Sequence, residues 1–216
     1  MKKRLIAVLM AVAMVGTLAV GCGSNKDNST GSNDAKSADE KVLHLEGGNP
    51  ETLDSLTGTG GDSVGVIREV MEGLGRFVKK DGQDVLEPAG AESWEPSDDG
   101  LTWTFHLRDG LKWSDGTDLT AKDFVYSWQR VCDPNVAAPY AETVLGMVKG
   151  YDEAVAGDIT KLDVQAPDEK TVVVNLANPC SYFGELAAFA TLNPVQQATV
   201  EANGDAWATS ADTYIS

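Results

Sequence analysis

Residues 101–108 constrain the fold more than any other segment, because large apolar and polar side chains alternate along all of it. Alternation with a period of two predicts a β-strand that has one buried face and one face that is exposed or paired. His106 and Arg108 lie on the second face. Shorter β-branched or alternating runs predict two further strands, over residues 41–46 and 171–176. The chain is therefore expected to contain a sheet with one polar face.

Helices are predicted where apolar residues recur every three or four positions behind capping residues. Thr120 and Asp123 form a variant capping box, with Asp in the usual Glu position, and Pro134 ends the helix that follows them. Further helices are predicted from Asp62 or Ser63 as N-cap to Leu74, over residues 144–155, over residues 183–190, and after Asn193 as N-cap with Pro194 in the first turn. Strands and helices do not alternate regularly, so the predicted fold class is mixed α+β.

The chain begins with the pattern of an export signal, in which three basic residues precede an uncharged, mostly apolar run over residues 5–20. A run of this length also suits a retained membrane anchor, but small and polar residues rather than basic ones follow it. Cys22 comes directly after LAVG at residues 18–21, which resembles the lipobox of bacterial lipoproteins, with Ala19 in the place usually taken by Leu. We therefore predict a signal peptide over residues 1–21 and lipidation of Cys22, which would anchor the protein in a bilayer.

Residues 22–40 are predicted to be a flexible tether, because after the cysteine they contain small and polar side chains and no large apolar residue. Residues 1–21 carry three basic and no acidic side chains, so the remaining chain has 14 Lys and Arg against 33 Asp and Glu, a net charge of about −19. A field of this sign repels phosphate backbones, and nucleic acid is not expected as a partner.

Catalytic and metal-binding motifs are weak in this chain. Residues 61–65 match the G-x-S-x-G nucleophile elbow of serine hydrolases, with Ser63 as the nucleophile. An elbow follows a buried strand and needs a histidine on a later loop, whereas a Gly- and Thr-rich segment precedes Ser63 and only His106, within a strand, follows it. A secreted serine hydrolase is therefore a remote alternative. The two histidines are 62 residues apart and no cysteines are close together, so neither a metal site nor a cofactor is predicted.

Cys132 and Cys180 are the thiols that remain once Cys22 carries lipid. An exported protein meets an oxidising environment, in which an even pair often forms a bridge. Each of the two lies near a proline at the end of a predicted element, where loops can approach. We therefore predict a disulfide between them, with two unpaired thiols as the alternative.

A resemblance to a known family rests first on three neighbouring segments, which are AESW at residues 91–94, DDG at 98–100, and LTWTFHLRDGLKWSDGTDLTAKDFVYSWQRVCDP at 101–134. Together they resemble the signature region of family 5 extracellular solute-binding proteins. DPN at residues 133–135, followed by APYA at 138–141, is most similar to the oligopeptide-binding members. Matches that extend the resemblance over nearly all of residues 41–216 lie at residues 53–54, 72–74, 178–183 and 204–207.

This resemblance implies a two-lobed clamp of the periplasmic-binding-protein type (type II, cluster C), which holds its ligand between the lobes. It places the first lobe in residues 41–72 and 193–216, and an inserted small domain in residues 73–192. Family members are much longer than this chain, which is therefore expected to be an N-terminal fragment without the second lobe. The implied function is not enzymatic. Such receptors capture solutes, here oligopeptides, and deliver them to the permease and ATPase subunits of an ABC importer.

The same resemblance assigns candidate ligand-binding residues by position. The segment that pairs with the ligand backbone corresponds to Gly58, Thr59, Gly60, Gly61 and Asp62, and a tyrosine that lines the site corresponds to Tyr140. Thr59 replaces an acid and Gly61 a valine of some members, which leaves the preferred ligand length and charge open. Receptors of the same fold for a signalling peptide, a dipeptide, nickel or an oligosaccharide remain alternatives. The implied location is the outer face of the cell membrane, or the periplasm of a two-membrane bacterium.

Overall fold

A computed structural model describes residues 47–216 of the chain. The predicted export signal, Cys22, the tether and the predicted strand over residues 41–46 lie outside these residues. Within residues 47–216, no helix is long and apolar enough to cross a membrane.

The first two strands, β1 (Gly75–Lys80) and β2 (Gln83–Pro88), form an antiparallel hairpin separate from the other sheet. Its turn is Asp81-Gly82, where φ is positive at both residues (51° and 82°). Hairpin turns that need positive φ at both central residues favour Asp-Gly, because Asp tolerates and Gly freely adopts that conformation. The sequence patterns did not predict this hairpin, since its strands are mostly exposed and show little apolar alternation.

A second, four-stranded antiparallel sheet consists of β3 (Ala91–Pro96), β4 (Thr102–Leu107), β5 (Val164–Gln165) and β6 (Thr171–Asn175), in the order β3-β4-β6-β5. The apolar residues of β4 are buried, and the residues between them point to the opposite face. His106 lies on that face, where its Nε2 is 2.9 Å from Glu95 Oε1 on β3. The strands predicted over residues 101–108 and 171–176 are therefore confirmed.

Six α-helices and three short 3₁₀ turns complete the described part of the chain. The helices are α1 (Gly61–Val70), α2 (Ala121–Val131), α3 (Ala141–Leu145), α4 (Tyr151–Val155), α5 (Phe183–Ala187) and α6 (Gln197–Asn203). The 3₁₀ turns are Ile159–Lys161, Ala190–Leu192 and Gly204–Ala208. The predicted capping box opens α2, since the backbone N–H of Thr120 donates to Asp123 Oδ2 at 2.7 Å.

The helix predicted over residues 144–155 is wrong, because two short helices, α3 and α4, occupy this region. The break includes Gly150, whose φ of 79° suits glycine. Its backbone also runs so close to a neighbouring loop that a Cβ atom there would lie 1.9 Å from the carbonyl oxygen of Lys161. Close packing against residue 161 therefore breaks the helix, although the apolar spacing that predicts it continues through residues 144–155.

Two predicted helix starts are also wrong. Helix α1 begins at Gly61 behind Gly60, so that Ser63 lies inside the helix, buried, with its Oγ 3.4 Å from the backbone nitrogen of Thr52. Helix α6 begins at Gln197 instead of directly after Asn193. The reason for the later start is that the chain stays extended at Asn193, while the backbone N–H of Val195 donates to a side chain of α2.

Helix α2 fastens the last part of the chain to the core. Ser127 Oγ accepts the N–H of Val195 at 2.7 Å and donates to the carbonyl of Asp123 at 2.6 Å. Trp128, fully buried on the next position, donates its indole N–H to the carbonyl of Leu192 at 2.9 Å. Both bonds satisfy buried polar groups that would otherwise destabilise the fold. The chain around residues 192–195 is therefore fixed relative to α2.

A buried ion pair joins the loop before α1 to the same helix. The Arg130 guanidinium donates to both oxygens of the Asp54 carboxylate, at 3.2 and 2.8 Å, and the two side chains are 10% and 9% exposed. Trp207 Nε1 and the N–H of Leu56 also donate to this carboxylate, at 3.2 and 3.0 Å. These donors offset the cost of burying the carboxylate, which would be high for an unpaired charge.

Tyr214 extends this cluster toward the end of the chain. Its ring stacks on Trp207, with centroids 5.4 Å apart and planes 9° apart, and its hydroxyl donates to the carbonyl of Leu53 at 3.2 Å. Burial raises the pKa of Tyr214, so that the hydroxyl stays protonated and remains a donor. Residues from both ends of the described chain therefore meet at Asp54.

The predicted first lobe and the predicted inserted domain share one hydrophobic core in the described chain, within a unit that comprises residues 46–216. The two predicted junctions between them lie side by side, since a Cβ atom on Gly73 would be 2.7 Å from Asn193 Oδ1. The boundaries at residues 73 and 193 stay predictions, because packing within this unit does not separate the two parts.

The structure corrects the disulfide prediction, because Cys132 and Cys180 are free thiols, both buried in this core. Apolar surroundings disfavour the thiolate that disulfide formation requires. Burial accordingly raises the pKa of Cys132 to about 12. Both residues act here as small apolar side chains rather than as a covalent link.

We predict that Asp54→Asn lowers the free energy of unfolding by about 3 kcal/mol, because it leaves the Arg130 charge buried without a counter-ion. Urea denaturation followed by tryptophan fluorescence measures the change. Asp84→Asn is the matched control, since Asp84 pairs with Lys79 on the surface, where the side chains are 61% and 70% exposed. Its cost is expected to stay below about 1 kcal/mol. Equal costs for the two variants would contradict a structural role for the buried pair.

Candidate functional site

Gly58, the first of the predicted ligand-binding residues, is packed and hydrogen-bonded within the loop that precedes α1. It is buried, and its N–H donates to the carbonyl of Asp54 at 2.7 Å. A Cβ atom on Gly58 would lie 2.8 Å from Ile67 Cδ1 and 3.0 Å from the same carbonyl. The absence of a side chain at this position is therefore a packing requirement of the loop, and this backbone N–H is not free for a ligand.

The other four residues of the segment, which are Thr59, Gly60, Gly61 and Asp62, are exposed. No atom lies within 4 Å of the position that a Cβ would take on Gly60 or Gly61. Gly60 has φ −66° and ψ 145°, a conformation open to any residue. The fold itself therefore requires glycine at neither of these two positions.

The same segment leads into the first backbone N–H groups of α1, which have no partner within the helix. Helix α1 starts at Gly61, so these donors follow directly after the exposed Gly60. The Asp62 carboxylate lies in this first turn and accepts the N–H of Gly48 at 3.1 Å. The backbone over residues 59–61 is thus an exposed edge of the structure just before and at the start of α1.

Tyr140, the remaining predicted residue, precedes α3 and is 38% exposed. Its ring packs edge-on against Phe189, with centroids 5.3 Å apart and planes at 66°. Phe189 is also 38% exposed, although it lies between α5 and the 3₁₀ turn at residues 190–192. The sequence reading missed Phe189, because an apolar residue near the end of a predicted helix is normally assigned to the core.

The two parts of the predicted site share a structural neighbour. Helix α1 starts within the exposed segment, and helix α3 follows Tyr140. Both helices pack against the 3₁₀ turn at residues 190–192. Phe189 directly precedes this turn and accepts the N–H of Leu192 at 2.8 Å. No hydrogen bond within residues 47–216 joins Tyr140 to the segment at residues 58–62.

An open cleft of about 940 Å³ lies on another surface, between the end of α1, the start of β1, residues 111–113 and residues 188–194. Three arginines line it, which are Arg68, Arg76 and Arg108. Arg108 is paired with Glu72 at 2.8 Å. None of the predicted ligand-binding residues lines this cleft. Its volume alone therefore does not make it the candidate site.

The structure gives Ser63 no catalytic surroundings. The side chain is 1% exposed inside α1, and residues 57–60 before the helix form no strand. The imidazole of His106 is hydrogen-bonded to Glu95. In the part of the chain from residue 47 onward, no group of three His, Cys, Asp or Glu side chains is arranged to hold a metal ion.

Comparison with known proteins assigns this arrangement to a family. The sequence profile of bacterial extracellular solute-binding proteins, family 5 (middle region), matches residues 85–216. The chain belongs to this family. A family 5 protein of Bacillus subtilis, the oligopeptide-binding protein OppA, is 38% identical over 222 residues, which cover 100% of this chain and 39% of that protein. The probable deoxycholate-binding periplasmic protein YgiS of Escherichia coli is 40% identical over 161 residues, 73% of this chain and 30% of that protein.

A solved structure supports the same family 5 fold. Haemophilus influenzae OppA, crystallised in complex with the peptide RPPGFSPFR, superimposes with a TM-score of 0.71 at 38% identity, over 78% of this chain and 33% of that protein. The present chain thus spans between 30% and 39% of the lengths of these three family 5 proteins. The predicted assignment to family 5, with a mixed α+β fold of the periplasmic-binding type, is confirmed.

We predict that Gly58→Ala lowers the free energy of unfolding by about 1–3 kcal/mol, because the added methyl group meets Ile67 and a backbone carbonyl at too short a distance. Gly60→Ala is the matched control, two residues away, and is expected to change it by less than about 0.5 kcal/mol. Thermal and urea unfolding of the two variants measure the difference. If Gly60→Ala destabilised the chain as much as Gly58→Ala, the fold would require both glycines.

Proposed function

We propose that this chain forms part of one lobe of a peptide receptor, and that the receptor delivers its ligand to an ABC importer. The observation that carries the proposal is the exposed pair Gly60 and Gly61, at which the fold has no need of glycine. A ligand main chain that hydrogen-bonds to this backbone must approach to about 2.9 Å between heavy atoms. A side chain on the facing side would prevent that approach.

Main-chain recognition explains how one receptor accepts peptides of different sequence. An extended peptide can add to an exposed backbone edge as a further strand, while its side chains remain in roomy surroundings. Each such hydrogen bond contributes only about 0.5–1.5 kcal/mol net in water. A second lobe that closes over the ligand and excludes solvent is therefore required for useful affinity. Binding energy would then select the closed form that an importer recognises.

Two relatives with peptide-related names support this reading. The Bacillus subtilis protein is named an oligopeptide-binding protein, and the Haemophilus influenzae protein was crystallised with a nine-residue peptide. The probable deoxycholate-binding relative is similar over 73% of this chain and supports an alternative, a receptor of this fold for a non-peptide solute. A family of solute-binding proteins also favours a binding role over catalysis for the Ser63 region.

A completed receptor tests the peptide proposal. Residues 47–216 replace the corresponding part of the Bacillus subtilis protein, which the chain matches along its whole length. We expect calorimetry with a pool of tri- to pentapeptides to give micromolar binding by this completed receptor, and at least about 100-fold weaker binding by the 216-residue chain alone. Equal, tight binding by both proteins would refute the need for a second lobe.

In the same receptor, Gly60→Val is expected to weaken peptide binding about tenfold or more, because the loss of one or two hydrogen bonds corresponds to about 1.4 kcal/mol. Gly65→Ala is the matched control, since Gly65 lies further along α1 and is also exposed with open space around it. A thermal melt of each variant confirms folding. If Gly60→Val left the affinity unchanged, the segment would have no part in binding. Binding of deoxycholate instead of peptides would favour the alternative.

We further propose that Cys22 is acylated and becomes the first residue of the mature protein, which would hold the receptor at the outer face of a membrane near the importer. The support is the sequence around it, a signal-like segment before and a polar tether after. Radioactive fatty acid added to expressing cells should label the protein, and Cys22→Ala should abolish the label. Label that persists on the variant would disprove acylation at this residue.

A further inference from the structure

Tyr140 and Phe189 are both exposed to solvent, and pairing of a ligand backbone with residues 58–62 does not explain this exposure. Both rings are 38% exposed, although they contact each other at 5.3 Å between centroids. A solvent-exposed aromatic pair leaves apolar surface in water that a further apolar group can cover. Edge-to-face pairs such as this one are readily extended by another ring, because the edge of one ring is attracted to the face of the next.

The backbone on both sides holds these two rings in place. Phe189 donates its N–H to the carbonyl of Leu186 at 2.9 Å and accepts the N–H of Leu192 at 2.8 Å. The carbonyl of Tyr140 accepts the N–H of Val144 at 3.0 Å, in the first turn of α3. A backbone that is already ordered by these bonds loses little conformational entropy when a ligand covers the rings, which favours affinity.

The chemistry of the pair defines what it can bind. A phenyl and a phenol ring carry no charge, and no salt bridge within the described residues involves either of them. The 3₁₀ turn beside Phe189 also contacts α1, at whose start the exposed backbone edge lies. The aromatic pair and the helix that follows the exposed backbone are therefore connected through this turn.

We propose that Tyr140 and Phe189 form the wall of a subsite for an apolar, preferably aromatic, side chain of the bound peptide, and that Phe189 sets this preference. The proposal rests on the peptide-binding function proposed above. It assigns to Phe189 a role in specificity, while the exposed backbone at Gly60 and Gly61 supplies affinity that is independent of sequence. One receptor would thus bind many peptides and still rank them by a single side chain.

Alanine tripeptides with phenylalanine, leucine, lysine or glutamate at each position in turn test this in the completed receptor. We expect one phenylalanine peptide to bind about tenfold more tightly than trialanine, with leucine intermediate. Phe189→Ala should remove this preference, so that the phenylalanine peptide binds no more tightly than trialanine, while Phe189→Leu should retain part of it. Phe77→Ala is the matched control, because Phe77 is 49% exposed on the β1–β2 hairpin.

The outcomes separate the two proposals. A phenylalanine preference that survives Phe189→Ala, or a preference for lysine or glutamate, would overturn the subsite and leave peptide binding intact. Failure of the wild-type receptor to bind any peptide would overturn the proposed function and the subsite with it. Ring signals of Tyr140 and Phe189 in nuclear magnetic resonance spectra of the 216-residue chain give a second readout. They should shift on addition of the phenylalanine peptide more than on addition of trialanine.

Discussion

The Asp54–Arg130 ion pair is the interaction on which the described part of the chain depends. It is buried, it is bidentate, and Trp207 completes the set of side-chain donors on the carboxylate. A buried charge is tolerated only where its partners are fixed, so this pair dictates where the loop before α1, helix α2 and the last described residues meet. The shape of the exposed segment that follows the loop is a consequence of that requirement.

Helix α2 also fixes other segments of the chain through hydrogen bonds. At positions 127, 128 and 130 it holds the chain at Val195 through Ser127, the carbonyl of Leu192 through Trp128, and Asp54 through Arg130. The first two contacts fix the end of the turn at residues 190–192, against which both α1 and α3 pack. Elements far apart in the sequence are thus held together because a single helix hydrogen-bonds to several of them.

Local patterns in the sequence were sufficient for the features that depend on local chemistry. The alternation over residues 101–108 and the capping box at residues 120–123 predicted a strand and a helix start correctly, since side-chain direction and capping are set by near neighbours. The break at Gly150 and the late start of α6 depend on contacts with residues distant in the chain, and no local pattern encodes them. Sequence spacing likewise did not predict that Cys132 and Cys180 are free thiols buried in the core.

The candidate site rests on resemblance, because residue properties alone do not single out its members. Sequence position identified the glycine segment and Tyr140, whereas Gly58 differs from Gly60 only in what surrounds it, and Phe189 differs from a core phenylalanine only in exposure. The shared hydrophobic core also bears on how rigid the candidate site is. The glycine segment (residues 58–62) and the Tyr140–Phe189 pair lie on elements that pack on one hydrophobic core. Their positions should therefore change little when a ligand binds. A ligand would adapt to this surface rather than reshape it, and selectivity could change through single surface substitutions without disturbing the fold beneath.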